Sequence, residues 1–411
     1  MRIRNALVFT EDQTFVKRDV FTAGGGILTE EDWETLRRKA GIDCGSGHVS
    51  DAADDNFSAG RAGTSAGDFG ELDAEGMLLL PGLVDIHSHG AVGRDFSDGD
   101  IKGLKEILAY EYAHGVTSYC PTSMTLPEET LAEVFASAAK VASDMARENI
   151  PSTASGGKKC ARIAGINMEG PFLDPVKKGA HREDCLRLPD PEFFHRCNEI
   201  SDGRIRLITI APNLPGAMEC IREISGETVV SLGHTSCDYD TARQAFAAGA
   251  CHLTHLYNAM PDFCHRNPGP IGAALDTPQC AVELIADGIH NHDSAIRAAF
   301  ALFSDRVVLI SDSMRAVGLS DGTYTLGGQD VQVRRHLATL SDGTIAGSCT
   351  NLYDCMRHAV SAGIPIEKAV AAATANPARI IGIYDKVGSI TPGKRADLLL
   401  TTPDLTLRAV L

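Results

Sequence analysis

From residue 81 onward, the chain alternates short β-branched apolar runs with amphipathic stretches of helical period. Strands are predicted at "GLVDIHSHG", "VTSYCPTS", "RIAGINMEGPF", "RIRLITIAPN", "TVVSLGHTS", "HLTHLYNAM", "AVELIADGIH" and "RVVLISDSM". Helical patterns such as "IKGLKEILAYEYAHG", "PEETLAEVFASAAKVASDMAREN", "DYDTARQAFAAGA" and "HDSAIRAAFALFS" separate most of them. Eight strands alternating with helices over roughly 230 residues predict an α/β chain with a (β/α)8 TIM-like barrel, spanning 81–387. An open doubly wound sheet is the structural alternative. It lacks the Gly-rich phosphate turn expected after its first strand.

The two ends of the chain have a different pattern. "MRIRNALVF" and "GMLLLPG" read as strands, and "GSITPGKRADLLLTTPDLTLRAVL" reads as strand, turn, strand. Together, 1–80 and 388–411 predict a small β-sandwich domain. Residues 41–75 are rich in Gly, Ala, Ser and Asp, bury little, and read as a loop-rich insertion in that domain, with no role for His48. After the last barrel strand come a hairpin at "TYTLGGQDVQV" and two helices, "TNLYDCMRHAVSAG" and "IEKAVAAATANPARIIG".

Composition narrows the partners. The 411 residues are 44% hydrophobic and 22% charged, with a net charge of −16 and no polybasic run. That argues against nucleic acid and anionic membrane surfaces, while a pocket can still hold a small anionic substrate. No apolar stretch has the length of a membrane span, and the N-terminus is a poor signal peptide, so a cytoplasmic protein is expected. The 12 cysteines form no C-x-x-C pair. This argues against a zinc ribbon or a thioredoxin-like site, and Cys120, Cys237, Cys251 and Cys280 read as small core residues.

Polar residues recur at the C-terminal ends of the predicted barrel strands: His87 and His89 on the first, Glu169 on the third, His234 on the fifth, His255 on the sixth, His290 on the seventh and Asp312 on the eighth. In a barrel these ends form one rim, where active sites lie. His87 and His89 alternate on a strand and so share a face, roughly 6 to 7 Å apart. Glu169, His234 and His255 suit a borderline divalent ion with an open position for water. His87 and His89 could complete a second site with Glu169 as bridge. Asp312 is placed to take a proton from water and pass it to a leaving group. The set describes metal-assisted hydrolysis. His114, His195, His336 and His358 fall on helices or in the hairpin and read as surface or packing residues; His252 reads as structural.

Several motifs carry a resemblance: "PGLVDIHSHG", "NMEGPFL" (167–173), "KKGAH" (177–181), "VSLGHTS" (230–236), "THLYNAMP" (254–261), "ADGIHNH" (286–292), "SDSM" (311–314), "TIAGS" (344–348) and the ending "GSITPGKRADLLL". The chain resembles the amidohydrolase superfamily and, within it, the N-acetylglucosamine-6-phosphate deacetylase family. The resemblance implies a metal held by Glu169, His234 and His255, with zinc or iron the foremost candidates and one or two ions per subunit. It implies Asp312 as general base and acid, and a sugar phosphate bound by Ala180 and His181, Asn258 and Ala259, Arg266, Asp287 and His290, and Ile345, Ala346 and Gly347. A homodimer whose neighbouring subunit helps to close the phosphate site is implied as well. Taken alone, Arg266 reads as a solvated surface charge; the motif around it makes it a bidentate phosphate ligand. His181 or His290 could donate to the acetyl carbonyl as it becomes an oxyanion.

There are departures. The fourth strand has no lysine, so a carbamylated-lysine bridge has no candidate. Asn213 replaces a commoner acid and puts a minor polar contact in question, and Ser313 adds a hydroxyl beside Asp312. Two other readings stay open: an N-acyl hydrolase acting on N-acetylgalactosamine 6-phosphate or another acylated amine, and a non-catalytic scaffold, which should have lost ligands that this chain retains.

Overall fold

The eight apolar runs fold as parallel strands because they are apolar on both faces and need cover on both sides. The computed structural model describes residues 1–40, 49–51, 69–147, 153–154 and 158–411; most of the 41–75 insertion, with His48, lies outside the described residues. The strands are β1 (Leu83–Ser88), β2 (Val116–Ser123), β3 (Ile166–Glu169), β4 (Ile205–Ile210), β5 (Val229–Leu232), β6 (His252–Leu253), β7 (Ala281–Ile285) and β8 (Val307–Ile310). Each pairs in parallel with the next in sequence. The ring closes just beyond the strand ends: Asp312 N donates to His87 O at 2.9 Å, and His89 N donates to Ser313 O at 2.8 Å. The Ser313 hydroxyl lies 2.6 Å from Ser88 Oγ and donates to Gly90 O at 2.9 Å. It ties the end of β1 to the end of β8, a larger part than one added hydroxyl implied.

Helices α1 (Ile101–Ala113), α2 (Glu128–Arg147), α3 (Pro191–Ile200), α4 (Ala217–Ile224), α5 (Tyr239–Ala248), α6 (Gly269–Leu275), α7 (Asp293–Phe303) and α8 (Leu352–Ser361) follow the strands. Several start where the sequence supplies a capping side chain: Asp100, Asp190, Asp238, His292 and Asn351 each accept a backbone N–H of the first turn. The helices bury one stripe each; on α1 it comprises Leu104, Ile107, Leu108 and Glu111. The stretch expected as one helix at 366–382 is two, Ile366–Ala373 and Ala375–Ile380, broken at Thr374 (φ −134°, ψ −77°). Pro377 explains the break, since its ring collides with the carbonyl four residues earlier.

The chain ends form two five-stranded sheets. One runs Gly26–Leu28, Val20–Ala23, Arg2–Arg4, Glu71–Asp73, Val49–Asp51; the other runs Leu407–Val410, Leu398–Thr401, Leu78–Pro81, Leu7–Phe9, Phe15–Lys17. Ile3, Val8, Leu72, Leu79, Leu398 and Leu400 are buried in one cluster between them. "MRIRNALVF" is two strands rather than one, divided at Asn5, whose φ of 64° turns the chain from one sheet to the other. A helix not expected from the pattern, Glu30–Lys39, starts at the Thr29 cap and seats Trp33 against Phe21 and Phe69.

The hairpin expected at 323–333 is present and gains a third strand, Leu337–Thr339. It leans on the rim, where Gln329 Nε2 donates to Ala180 O at 2.5 Å. No helix among the described residues is long and apolar enough to cross a membrane.

Candidate metal centre and active site

Strand ends and the turns after them bring six polar side chains to one point. Glu169 is the last residue of β3. His234, His255 and Asp312 each lie two residues beyond β5, β6 and β8, with left-handed φ of 47°, 25° and 46°. Such backbone costs about 1–3 kcal/mol per residue and persists only where its surroundings enforce it. Gly233 is part of the enforcement. A Cβ there would come within 2.6 Å of Thr254 Cβ and 2.9 Å of Thr209 Cγ2, so only glycine lets the turn pass.

Glu169 is the hub. His234 Nε2 and His255 Nε2 lie 3.0 and 3.2 Å from its Oε1. His87 Nε2, His89 Nε2 and His181 Nε2 lie 3.4, 3.2 and 3.3 Å from its Oε2. Asp312 Oδ1 is 3.2 Å from His89 Nε2. All are buried. Burial alone would raise the Glu169 pKa, but the charge of His87 and the hydrogen bonds from His181 and His234 hold it well below the usual carboxylate range. Asp312 behaves alike: burial pushes up, while the His89 hydrogen bond and the charges of His87 and His89 win and bring it to about 2.

The donor set fits a divalent ion. Carbonyl oxygens accept from the far nitrogen of three rings: Lys177 O from His234 Nδ1 (2.9 Å), Asn258 O from His255 Nδ1 (3.1 Å) and Thr122 O from His89 Nδ1 (3.1 Å). A carbonyl only accepts, so each Nδ1 carries a proton, and in the neutral form of each ring an Nε2 lone pair faces the centre. His234 Nε2 and His255 Nε2 then face each other at 2.9 Å. Two lone pairs at that distance repel unless a cation lies between them. The ligating atoms of Glu169, His234 and His255 lie within 4.8 Å of one another, as do those of His87, His89 and Glu169. His87 Nε2 is buried without a hydrogen-bond partner, and its Nδ1 is 2.9 Å from Glu283 Oε2. Glu283 also accepts from His255 N at 3.1 Å, joining the two groups from below.

His181 differs from these rings. Thr125 N donates to its Nδ1 at 3.1 Å, so in the neutral ring the proton sits on Nε2, which faces the centre as a donor. Burial keeps that ring neutral, lowering its pKa to about 4 against the pull of Glu169.

Above the centre opens a cavity of about 450 Å³. Of the residues expected to touch substrate, Ala180, His181, Asn258, Ala259, His290, Ile345 and Gly347 line it. Asp287 stands behind His290, with Oδ2 2.7 Å from its Nδ1, and Ala346 is buried behind the wall. Arg266 is not brought in. It is exposed on a loop beyond the wall and makes no ion pair among the described residues. Lys177 and Lys178 do line the cavity; a loop lysine carries no sequence signature, and only the "KKGAH" motif pointed there. Glu283 also went unnoticed, although a carboxylate inside an apolar strand run is itself a signal.

Asn213, where an acid is commoner, has a clear part. Its Nδ2 donates to Asp174 Oδ2 at 2.8 Å, and its Oδ1 accepts from Thr235 Oγ1 at 2.5 Å. It pins the 174–178 loop to the turn that carries His234. Away from the site, His114 caps α1, His195 pairs with Glu227 and His358 with Asp293. His252 is buried 3.1 Å from Ser231 Oγ.

Comparison with known proteins places the chain in a family. The amidohydrolase family matches residues 78–410. The chain is 40% identical over 332 residues to an N-acetylglucosamine-6-phosphate deacetylase of Bacillus subtilis, covering 80% of this chain and 81% of that one. It is 34% identical over 342 residues to an N-acetylgalactosamine-6-phosphate deacetylase of Escherichia coli O157:H7, covering 83% and 87%. Among solved structures, a variant of N-acetyl-D-glucosamine-6-phosphate deacetylase from Mycobacterium smegmatis, in complex with N-acetyl-D-glucosamine-6-phosphate, superposes with a TM-score of 0.83 at 28% identity, covering 100% of this chain and 97% of that one.

Proposed function

This chain belongs to the amidohydrolase family, and on that premise we propose that it hydrolyses N-acetyl-D-glucosamine 6-phosphate to D-glucosamine 6-phosphate and acetate. The observation that carries the reading is the convergence of five imidazoles on Glu169, with Asp312 beside His89, under a cavity of about 450 Å³. The similarity to deacetylases of that sugar phosphate supports the substrate. The epimeric N-acetylgalactosamine 6-phosphate is the less favoured alternative.

Glu169, His234 and His255 would hold the principal divalent ion, zinc or iron. When bound, it supplies Lewis acidity that polarises the acetamide carbonyl and ionises water near neutral pH. His87 and His89 would share Glu169 with a second ion, and the Glu283 carboxylate behind His87 Nδ1 supports that reading. Asp312 accepts the proton of the attacking water at Oδ1 and returns it to the departing amine. His181, neutral with its proton on Nε2, donates to the carbonyl oxygen as charge builds there. His290, oriented by Asp287, faces the sugar. The neutral Asn258 and Ala259 groups bind phosphate or hydroxyl oxygens.

We assign Arg266 to the phosphate of a neighbouring subunit's site in a homodimer. Its exposure, and that of Phe263 (45%) on the same loop, support an interface there. The reaction belongs in the cytoplasm, in amino-sugar catabolism; the eleven cysteines among the described residues are free of disulfides, which suits a reducing compartment.

The test is Asp312→Asn. Acetate release from the sugar phosphate should fall by about 10²- to 10⁴-fold with metal content unchanged. A near wild-type rate would refute the mechanism.

A further inference from the structure

The cavity wall contains a cation that the reaction as described leaves unused. Asp174 caps the short turn at 175–177 and is saturated: it accepts from Val176 N (2.9 Å), Asn213 Nδ2 (2.8 Å), Ser236 N (3.1 Å) and Ser236 Oγ. Asp174 N donates to His234 O at 3.0 Å, and Lys177 O accepts from His234 Nδ1 at 2.9 Å. The Lys177 backbone is therefore locked to a metal ligand, and its side chain starts from a fixed point.

That side chain crosses to the loop after β6. Lys177 Nζ donates to Met260 O at 3.3 Å, the residue next to Asn258 and Ala259. An ammonium has three donors, and this is its one hydrogen bond among the described residues. No carboxylate lies within 4.0 Å of it, again among the described residues. Lys178 is different: it feels the Asp342 carboxylate, which it helps to hold ionised. Lys177 is thus a half-buried cation in a cavity wall, anchored only on a neutral carbonyl, in a chain with a net charge of −16. Leaving a partly desolvated ammonium without a counter-charge is costly, and an anion in the cavity relieves it.

We propose that Lys177 is a phosphate-binding residue of this chain's own site, and that its ammonium sets the preference for a phosphorylated over an unphosphorylated sugar. The ammonium beside Asn258 and Ala259 supplies the charge, and their neutral groups supply direction. Arg266, exposed beyond the wall, cannot serve its own cavity in this way. The inference rests on the deacetylase reading.

The experiment measures kcat and KM of the metal-loaded enzyme and of Lys177→Met and Lys177→Arg on N-acetylglucosamine 6-phosphate and on unphosphorylated N-acetylglucosamine. In Lys177→Met, KM for the 6-phosphate should rise about 10- to 100-fold, while kcat/KM for the unphosphorylated sugar stays within about twofold. Lys177→Arg should keep most of the preference. Inorganic phosphate should inhibit the wild type and Lys177→Arg competitively and Lys177→Met at least tenfold more weakly. Equal loss on both substrates would make Lys177 a mere strut of the loop and overturn the proposal, as would an unchanged preference. If Lys177→Met is insoluble, Lys177→Gln carries the same expectations. A wild type with no preference for the 6-phosphate would instead sink the deacetylase reading itself.

Discussion

The floor of the cavity and its outer wall are built on opposite principles. The floor consists of side chains at strand ends, buried and each held by a fixed second partner: a carbonyl for His89, His234 and His255, the Glu283 carboxylate for His87. The wall consists of loops, partly exposed, whose cations sit at different depths, Lys177 inside and Arg266 outside. The floor is organised to hold charge that is created during reaction. The wall is organised to sort what enters. Rigid geometry suits the first task, and charge on adjustable loops suits the second.

Substitutions should separate the two regions. The largest loss belongs to the floor, in Asp312→Asn, and should fall on kcat with KM nearly constant. Next comes Arg266→Ala. It should lower kcat/KM for the 6-phosphate by about 10- to 100-fold, mainly through KM. Mixing Arg266→Ala with Asp312→Asn subunits should raise kcat/KM above that of either variant alone. Failure to recover on exchange would place the arginine at its own subunit's site and break the contrast drawn here.

Glu283→Gln sharpens the same contrast from below. It leaves size unchanged and removes the charge behind His87. Affinity for the second ion should weaken by about 10- to 100-fold, read as metal content after dialysis, with the first ion retained. Loss of both ions together would show that the two sites form one unit.

The smallest effect lies outside both regions. Glu111 is buried on α1, and neither carboxylate oxygen has a hydrogen-bond partner. Burial, then the neighbouring Asp85, raises its pKa well above the usual carboxylate range. A raised folded-state pKa contributes stability that is full below about 4.5 and is lost as pH rises through the folded value. Glu111→Gln should therefore unfold roughly 2–4 °C higher than wild type at pH 9, with little difference at pH 5, read by calorimetry. A higher midpoint at both values would point to packing rather than charge.

The floor was legible in the sequence because each of its members interrupts an apolar run at the point where a strand ends. Glu283 was not, since it interrupts a run in the middle, where strand ends give no guide. The wall was legible only through resemblance. Lysines and arginines on loops are ordinary surface residues until the fold shows which way they face, and Arg266 does face solvent in its own chain. The helix at Glu30–Lys39 was passed over inside a region dominated by strands, although Thr29 and the acids after it form a clear start signal.

By itself, the order of apolar and polar residues determined the alternation of strand and helix, the barrel, and the set of polar side chains at its rim. Those follow from local rules of period and burial, which act over a few residues. Only the tertiary structure decided that His234 and His255 turn inward on left-handed backbone, that Glu283 underlies His87 and His255, and that Lys177 lines the cavity while Arg266 does not. Each of these depends on contacts between segments tens to hundreds of residues apart, and no local pattern encodes a distance across the barrel.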